Sequence, residues 1–227
     1  NSPSNPTGWV ACDAELRAIA DLAVEHDLWI VSDEIYDGLT FESDHAPSIA
    51  ALPELADRTV VVDGFSKRYA MTGWRLGYAI VPEALTDAFN ALIINSTSCA
   101  PHFVQLAALA ALEGPQECIA EFRESFRARR APFAEALNTI PGFTVPLPPG
   151  AFYLFADVRT LLARTGLTAR QLADHLLTDG GVALLPGTDF GTGGEGFLRL
   201  SIASAPALLE ESARRIGASV ARLIASR

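Results

Sequence analysis

Residues 64–77 read Gly64-Phe65-Ser66-Lys67-Arg68-Tyr69-Ala70-Met71-Thr72-Gly73-Trp74-Arg75-Leu76-Gly77. Lys67 is the only lysine among 227 residues, against sixteen arginines. Exposed cations tolerate exchange of lysine for arginine. A guanidinium, however, stays protonated and cannot serve where an amine must lose its proton and attack a carbonyl. The one lysine is therefore a candidate for covalent chemistry. It lies just beyond an apolar run, residues 59–62, that ends in Asp63-Gly64, and before a second run, residues 75–81, that Pro82 closes. Both runs read as strands.

Working outward, residues 28–32 form a third short apolar run ending at Asp33-Glu34. With no polar alternation, it predicts a strand buried on both faces. Before it, Leu16, Ile19, Ala20, Ala23 and Val24 recur at helical spacing within residues 13–27, with Asp13 placed to cap the start. Strands separated by helices and loops, with polar residues at their ends, predict an α/β sheet that gathers ligands where strands give way to loops. Past Pro82 the texture changes. Residues 83–94 and 102–112 read as helices, and residues 116–138 as a long amphipathic helix carrying Arg123, Arg127, Arg129 and Arg130. A Pro/Gly-rich turn at 146–150 precedes a strand at 151–158, a helix near 168–178, strands at 182–185 and 197–202, and a last helix from about Pro206. This half reads as a smaller α+β unit, which divides the chain inside the long helix into domains 1–128 and 129–227.

Composition narrows the function classes. About half the residues are hydrophobic but no run approaches the roughly 20 apolar residues that span a bilayer. The opening residues have neither the basic region nor the apolar stretch of a signal peptide. A net charge of −10 argues against nucleic acid as a partner. Cys12, Cys99 and Cys118 are odd in number and widely spaced, which predicts buried thiols in a reducing compartment. They share no metal-ligand spacing with His26, His45, His102 and His175, so no metal is expected. The expectation is a soluble cytoplasmic protein without membrane or nucleic-acid contacts.

Three segments carry the chemistry: Asn5-Pro6-Thr7-Gly8, Asp33-Glu34-Ile35-Tyr36, and the 64–77 stretch. An enzyme built on pyridoxal 5'-phosphate (PLP) needs a lysine for the aldehyde, an anion beside the pyridine nitrogen, donors to the phenolic oxygen, and cations or amides around the phosphate. Asp33 and Lys67, at strand ends, meet the first two needs. In motif, order and spacing the chain resembles the class I/II aminotransferase family of PLP-dependent fold type I (aspartate-aminotransferase-like), aligning with its C-terminal portion. The resemblance implies an α/β fold: a remnant of the large domain, a mostly parallel sheet with helices, plus a smaller α+β C-terminal domain. It implies that Lys67 carries the cofactor and shuttles a proton, and that Asp33 pairs with the ring nitrogen. Tyr36 and Asn5 would donate to the phenolic oxygen, Arg75 and Ser66 would hold the phosphate, and Arg199 would fork the substrate's α-carboxylate. Gly64 departs from relatives with a serine there, which puts one phosphate contact in doubt. Cys99 and His102 lie in a loop that in relatives nears the neighbouring subunit's site; here they read as structural.

The same resemblance implies a segment of well over a hundred residues before Asn5, with a glycine-containing phosphate loop and an aromatic ring over the cofactor. The chain is therefore expected to be a fragment, inactive alone and exposing apolar sheet faces, of a homodimeric enzyme acting on an amino acid and a 2-oxo acid. Two alternatives stay open: a PLP-dependent β-lyase or synthase, and the ligand-sensing domain of a transcriptional regulator. On substrate class, no Lys or Arg occurs between Arg75 and Arg123. A distal carboxylate needs a further cation, so the expected amino donor is neutral, apolar or aromatic.

Overall fold

In the computed structural model, which describes residues 1–226, the first helix, α1 (Asp13–Glu25), buries Leu16, Ala20 and Ala23. These form the stripe set by a 3.6-residue repeat. Its cap is Cys12 rather than Asp13: the Cys12 backbone N–H donates to the Glu15 carboxylate at 2.8 Å. Asp13 instead occupies the first turn, where an acid suits the positive end of the helix.

Strand β1 (Ile30–Asp33) pairs in parallel with β2 (Thr59–Gly64), and β3 (Gly77–Ile80) adds to β2 antiparallel, giving the order β1-β2-β3. Ala11, Leu16, Ala20, Ala23, Ile49 and Leu55 form a core beside this sheet, with Ile30 packed on it. The burial on both faces expected of residues 28–32 fails, and β3 is likewise open. Val31 is 69% and Ile80 61% exposed, whereas Val60 and Val61 of the central strand are buried. A covering layer reaches only part of this three-stranded surface. Helices α2 (Thr86–Ser96) and α3 (His102–Glu113) follow; α2 buries no residue, and Leu92, Ile94, Phe103 and Leu106 stand exposed.

The chain divides into two compact units within α4 (Glu117–Asn138). The first holds residues 1–4 and 9–123, the second residues 5–8 and 124 onward. Residues 5–8 thus leave the segment around them, because Gly8 packs on Pro148 and its carbonyl accepts the Gly150 N–H at 3.0 Å.

In the second unit β4 (Tyr153–Asp157) and α5 (Arg159–Thr165) lead to α6 (Ala169–Thr178), β5 (Leu185–Pro186), β6 (Phe197–Ser201) and α7 (Pro206–Ala225). The sheet is antiparallel with order β4-β6-β5. One core, including Leu137, Leu154, Leu172, Leu198, Ile216 and Val220, lies beneath these elements. No sequence signal pointed to the two-turn α5, which stops at Gly166 in a left-handed conformation. The strand expected at 182–185 shrinks to two residues, because the Val182 N–H is taken by the Leu176 carbonyl at the end of α6.

The thiols also differ from expectation. Cys12 and Cys99 are exposed and Cys118 is half-buried, since one caps a helix and another lies in the loop after α2. No described helix is long and apolar enough to cross a membrane.

Candidate active site

The parallel pairing of β1 and β2 brings their C-terminal ends to one edge, with Asp33 opposite Val62 and the Glu34 N–H bonded to the Val62 carbonyl at 2.9 Å. Because β3 returns antiparallel, Gly77 lies opposite Gly64 and Arg75 falls at that same edge. Asp33, Tyr36, Ser66, Lys67 and Arg75 are thus collected by strand order from two separate stretches of sequence.

Local chemistry shapes each of them. The Asp33 Oδ1 accepts the Ile35 N–H at 3.2 Å, and no described residue donates to its Oδ2. A turn follows, closed by Asp37 N–H to the Glu34 carbonyl at 2.8 Å, and it buries Tyr36. The Lys67 amine stands 5.9 Å from the centroid of the Tyr36 ring. Residues 65–76 form a closed loop in which the Phe65 carbonyl accepts the N–H groups of Tyr69 and Met71. Ser66 is half-buried within it. Arg75 ends the loop with φ 56° and ψ 43°, a left-handed backbone uncommon for a residue with a Cβ, and its guanidinium donates to the Thr72 carbonyl at 2.9 Å. Gly64 has a steric reason: a Cβ there would sit 3.0 Å from the Gly77 Cα and 3.1 Å from the Leu76 carbonyl oxygen. A serine at 64 would crowd the β2–β3 pairing.

One buried acid lies under this edge. Asp63 accepts the Gly64 N–H at 2.7 Å and the Tyr78 hydroxyl at 2.8 Å. Burial pushes its carboxyl above the ordinary range, against the lowering effect of those donors and of Arg68. Folded Asp63 therefore keeps its proton to higher pH than the unfolded chain does. The stability it contributes is present at low pH and is lost as pH rises through its folded pKa. Asp63→Asn is expected to flatten that part of the melting-temperature profile of the full-length protein between acid and neutral pH; an unchanged profile would contradict this.

Asn5 and Arg199 belong to the second unit. Arg199, on β6, donates from NH1 to the Asn5 side-chain oxygen at 2.8 Å. Its guanidinium carbon lies 4.4 Å from the centroid of the Tyr153 ring and 4.8 Å from that of Phe190. Among the described residues its buried Nε has no hydrogen-bond partner. A planar cation held between two rings, with an unpaired N–H, is suited to a planar anion such as a carboxylate. Tyr153 and Phe190 were not singled out in the sequence: Phe190 lies within the glycine-rich 187–196 segment, and Tyr153 is brought beside Arg199 by the pairing of β4 with β6. Arg68 and Asp37, which join the first unit's cluster by an ion pair, were also missed, although each directly follows a candidate residue. His102 opens α3 and is exposed.

A family model described as aminotransferase class I and II matches residues 1–216. The putative aminotransferase YugH of Bacillus subtilis is 44% identical over 215 residues, covering 95% of this chain and 54% of that protein. The arginine–pyruvate transaminase AruH of Pseudomonas aeruginosa is 39% identical over 224 residues, covering 99% and 56%. Among solved structures, an aromatic aminotransferase from Pyrococcus horikoshii superposes with a TM-score of 0.91 at 38% identity, over 98% of this chain and 59% of that one. The chain spans little more than half the length of the relatives it matches.

Proposed function

Because the chain belongs to the class I and II aminotransferase family, a PLP-dependent family, we propose that it supplies the cofactor lysine and the substrate-carboxylate arginine of an aminotransferase. The full-length protein would move an amino group between an amino acid and a 2-oxo acid. The observation that carries this reading is the placing of Lys67 beside Tyr36, at the edge where Asp33 ends β1.

The residues present fit PLP. Asp33 has a carboxylate oxygen open to the ring nitrogen, and Arg199 has a buried N–H in want of an acceptor. The bound group supplies an electron sink for the carbanion formed at the substrate's Cα. Lys67 would hold the group covalently, and its amine would accept and return the substrate's Cα proton. Asp33, an anion at the ring nitrogen, keeps that nitrogen protonated. Tyr36 and Asn5 donate to the phenolic oxygen. Arg75 and Ser66 offer a fork and a hydroxyl to the phosphate, and Arg199 orients the substrate through its carboxylate. The full-length protein is read as a homodimer; the exposed apolar residues of α2 and α3 are the kind of surface that an oligomer covers.

For the donor we propose a neutral, apolar or aromatic amino acid, since no Lys or Arg lies between Arg75 and Arg123. The test is a donor panel with the full-length protein, scored by kcat/KM. Alanine, methionine or phenylalanine should be used within about a hundredfold of aspartate or better. An aspartate preference above that, roughly 2.7 kcal/mol of transition-state discrimination, would refute the donor class. No amino transfer from any donor would refute the activity.

A further inference from the structure

Asp37 and Arg68 each stand one residue after a proposed site residue, Tyr36 and Lys67. Their side chains form an ion pair in which each is only 16% exposed. Asp37 is held from several directions: its Oδ1 accepts the Ala46 N–H at 2.8 Å, and its Oδ2 meets His45 Nδ1 at 2.9 Å as well as Arg68. Arg68 also lies 3.6 Å from the Asp63 carboxylate. Its side chain lies flat on Gly38, where a Cβ would come within 3.1 Å of both Arg68 Cγ and Nε. The ion pair therefore ties together the same two segments that bring the Lys67 amine to the Tyr36 ring. Desolvation offsets much of the attraction in such a pair, so its net gift to stability is small. What it supplies is a fixed separation.

We infer that Arg68, through its ion pair with Asp37, is a positioning residue that fixes the Lys67 amine against Tyr36. The inference rests on the reading of Lys67 and Tyr36 as cofactor residues. Tyr36, donating to the phenolic oxygen, lowers the pH at which the visible band of the Lys67-bound cofactor changes; loosening the pair weakens that donation and raises this midpoint.

The experiment uses the full-length protein with Arg68→Met, which keeps a stem over Gly38 without the fork, and with Asp37→Asn, which keeps shape without charge. Both are expected to raise the midpoint by about one pH unit, a tenfold change in the proton equilibrium. Arg68→Lys, which keeps the charge, should show a smaller shift of the same sign. A purely through-space effect behaves differently: loss of the cation raises the midpoint, whereas loss of the anion lowers it. Opposite shifts, or no shift in either variant, overturn the inference. If Arg68→Met does not fold, Arg68→Lys is read in its place, and absence of its upward shift is equally fatal.

A second readout needs no cofactor. Trace acetylation of Lys67, quantified on its peptide at fixed pH, should change by about threefold or more, in the same direction in both variants. Equal labelling in wild type and variants overturns the inference. A wild-type protein that shows no band from Lys67 refutes the functional reading instead, and labelling alone then decides the role of Arg68.

Discussion

Lys67→Ala is expected to lower kcat/KM of the full-length protein by at least about a thousandfold, equivalent to about 4 kcal/mol of transition-state stabilisation. On the proposed roles, two functions would disappear with one side chain: the covalent anchor of the cofactor and the amine that moves the substrate's Cα proton. Sixteen arginines elsewhere in the chain offer no substitute, since none can deprotonate near neutral pH. Lys67→Arg should be as severe as Lys67→Ala, which separates amine chemistry from charge. Borohydride reduction of the cofactor-loaded wild type provides the direct check. The pyridoxyl label should fall on the peptide containing Lys67, and label confined to another lysine or to the N-terminal amine would sink the assignment. The Lys67→Ala protein should lack the visible band altogether.

Asp33→Ala is expected to produce a different failure. In the proposed site Lys67 and Arg75 would still hold the cofactor, so binding should weaken while the band remains. The ring nitrogen, however, would lose the anion proposed to keep it protonated, and the sink for electrons from Cα would fail. A fall in kcat of at least about a hundredfold, or about 2.7 kcal/mol, is expected, with KM little changed. A variant with near-normal kcat and poor cofactor affinity would show that Asp33 only binds. Asp33→Glu, which keeps the charge on a longer stem, should recover part of the loss.

What the sequence disclosed depended on whether the determining interactions were local. The apolar runs that became β1 and β2, and the polar residues ending them, place Asp33 and Lys67 where the structure has them, because strand ends follow from period and punctuation. Helix α1 and the helix from Pro206 were legible for the same reason. The exposure of Val31 and Ile80 was not legible from the runs themselves, since an apolar run reports what a strand is suited to and not what covers it. Nor could spacing reveal that Tyr153 and Phe190 enclose Arg199, or that Arg68 meets Asp37, as these contacts join residues set by tertiary packing. The Cys12 cap was hidden by composition: cysteine is a rare cap, and Asp13 next to it is the conventional choice. Gly64 is the opposite case, a departure noticed in sequence and explained only by the close approach of Gly77.

The short excursion of residues 5–8 into the second unit has a consequence for assembly in time. Asn5 and Arg199 are separated by 194 positions, yet a hydrogen bond joins them. Contacts of such long range are the slow ones in folding, since the entropy of closing the long loop between them must be met before they reward closure. During synthesis Asn5 leaves the ribosome among the first residues described here, and its partner on β6 emerges after almost all the others. The Asn5–Arg199 contact is therefore completed late, and a nascent chain halted before residue 199 carries Lys67 without the arginine proposed to face a carboxylate.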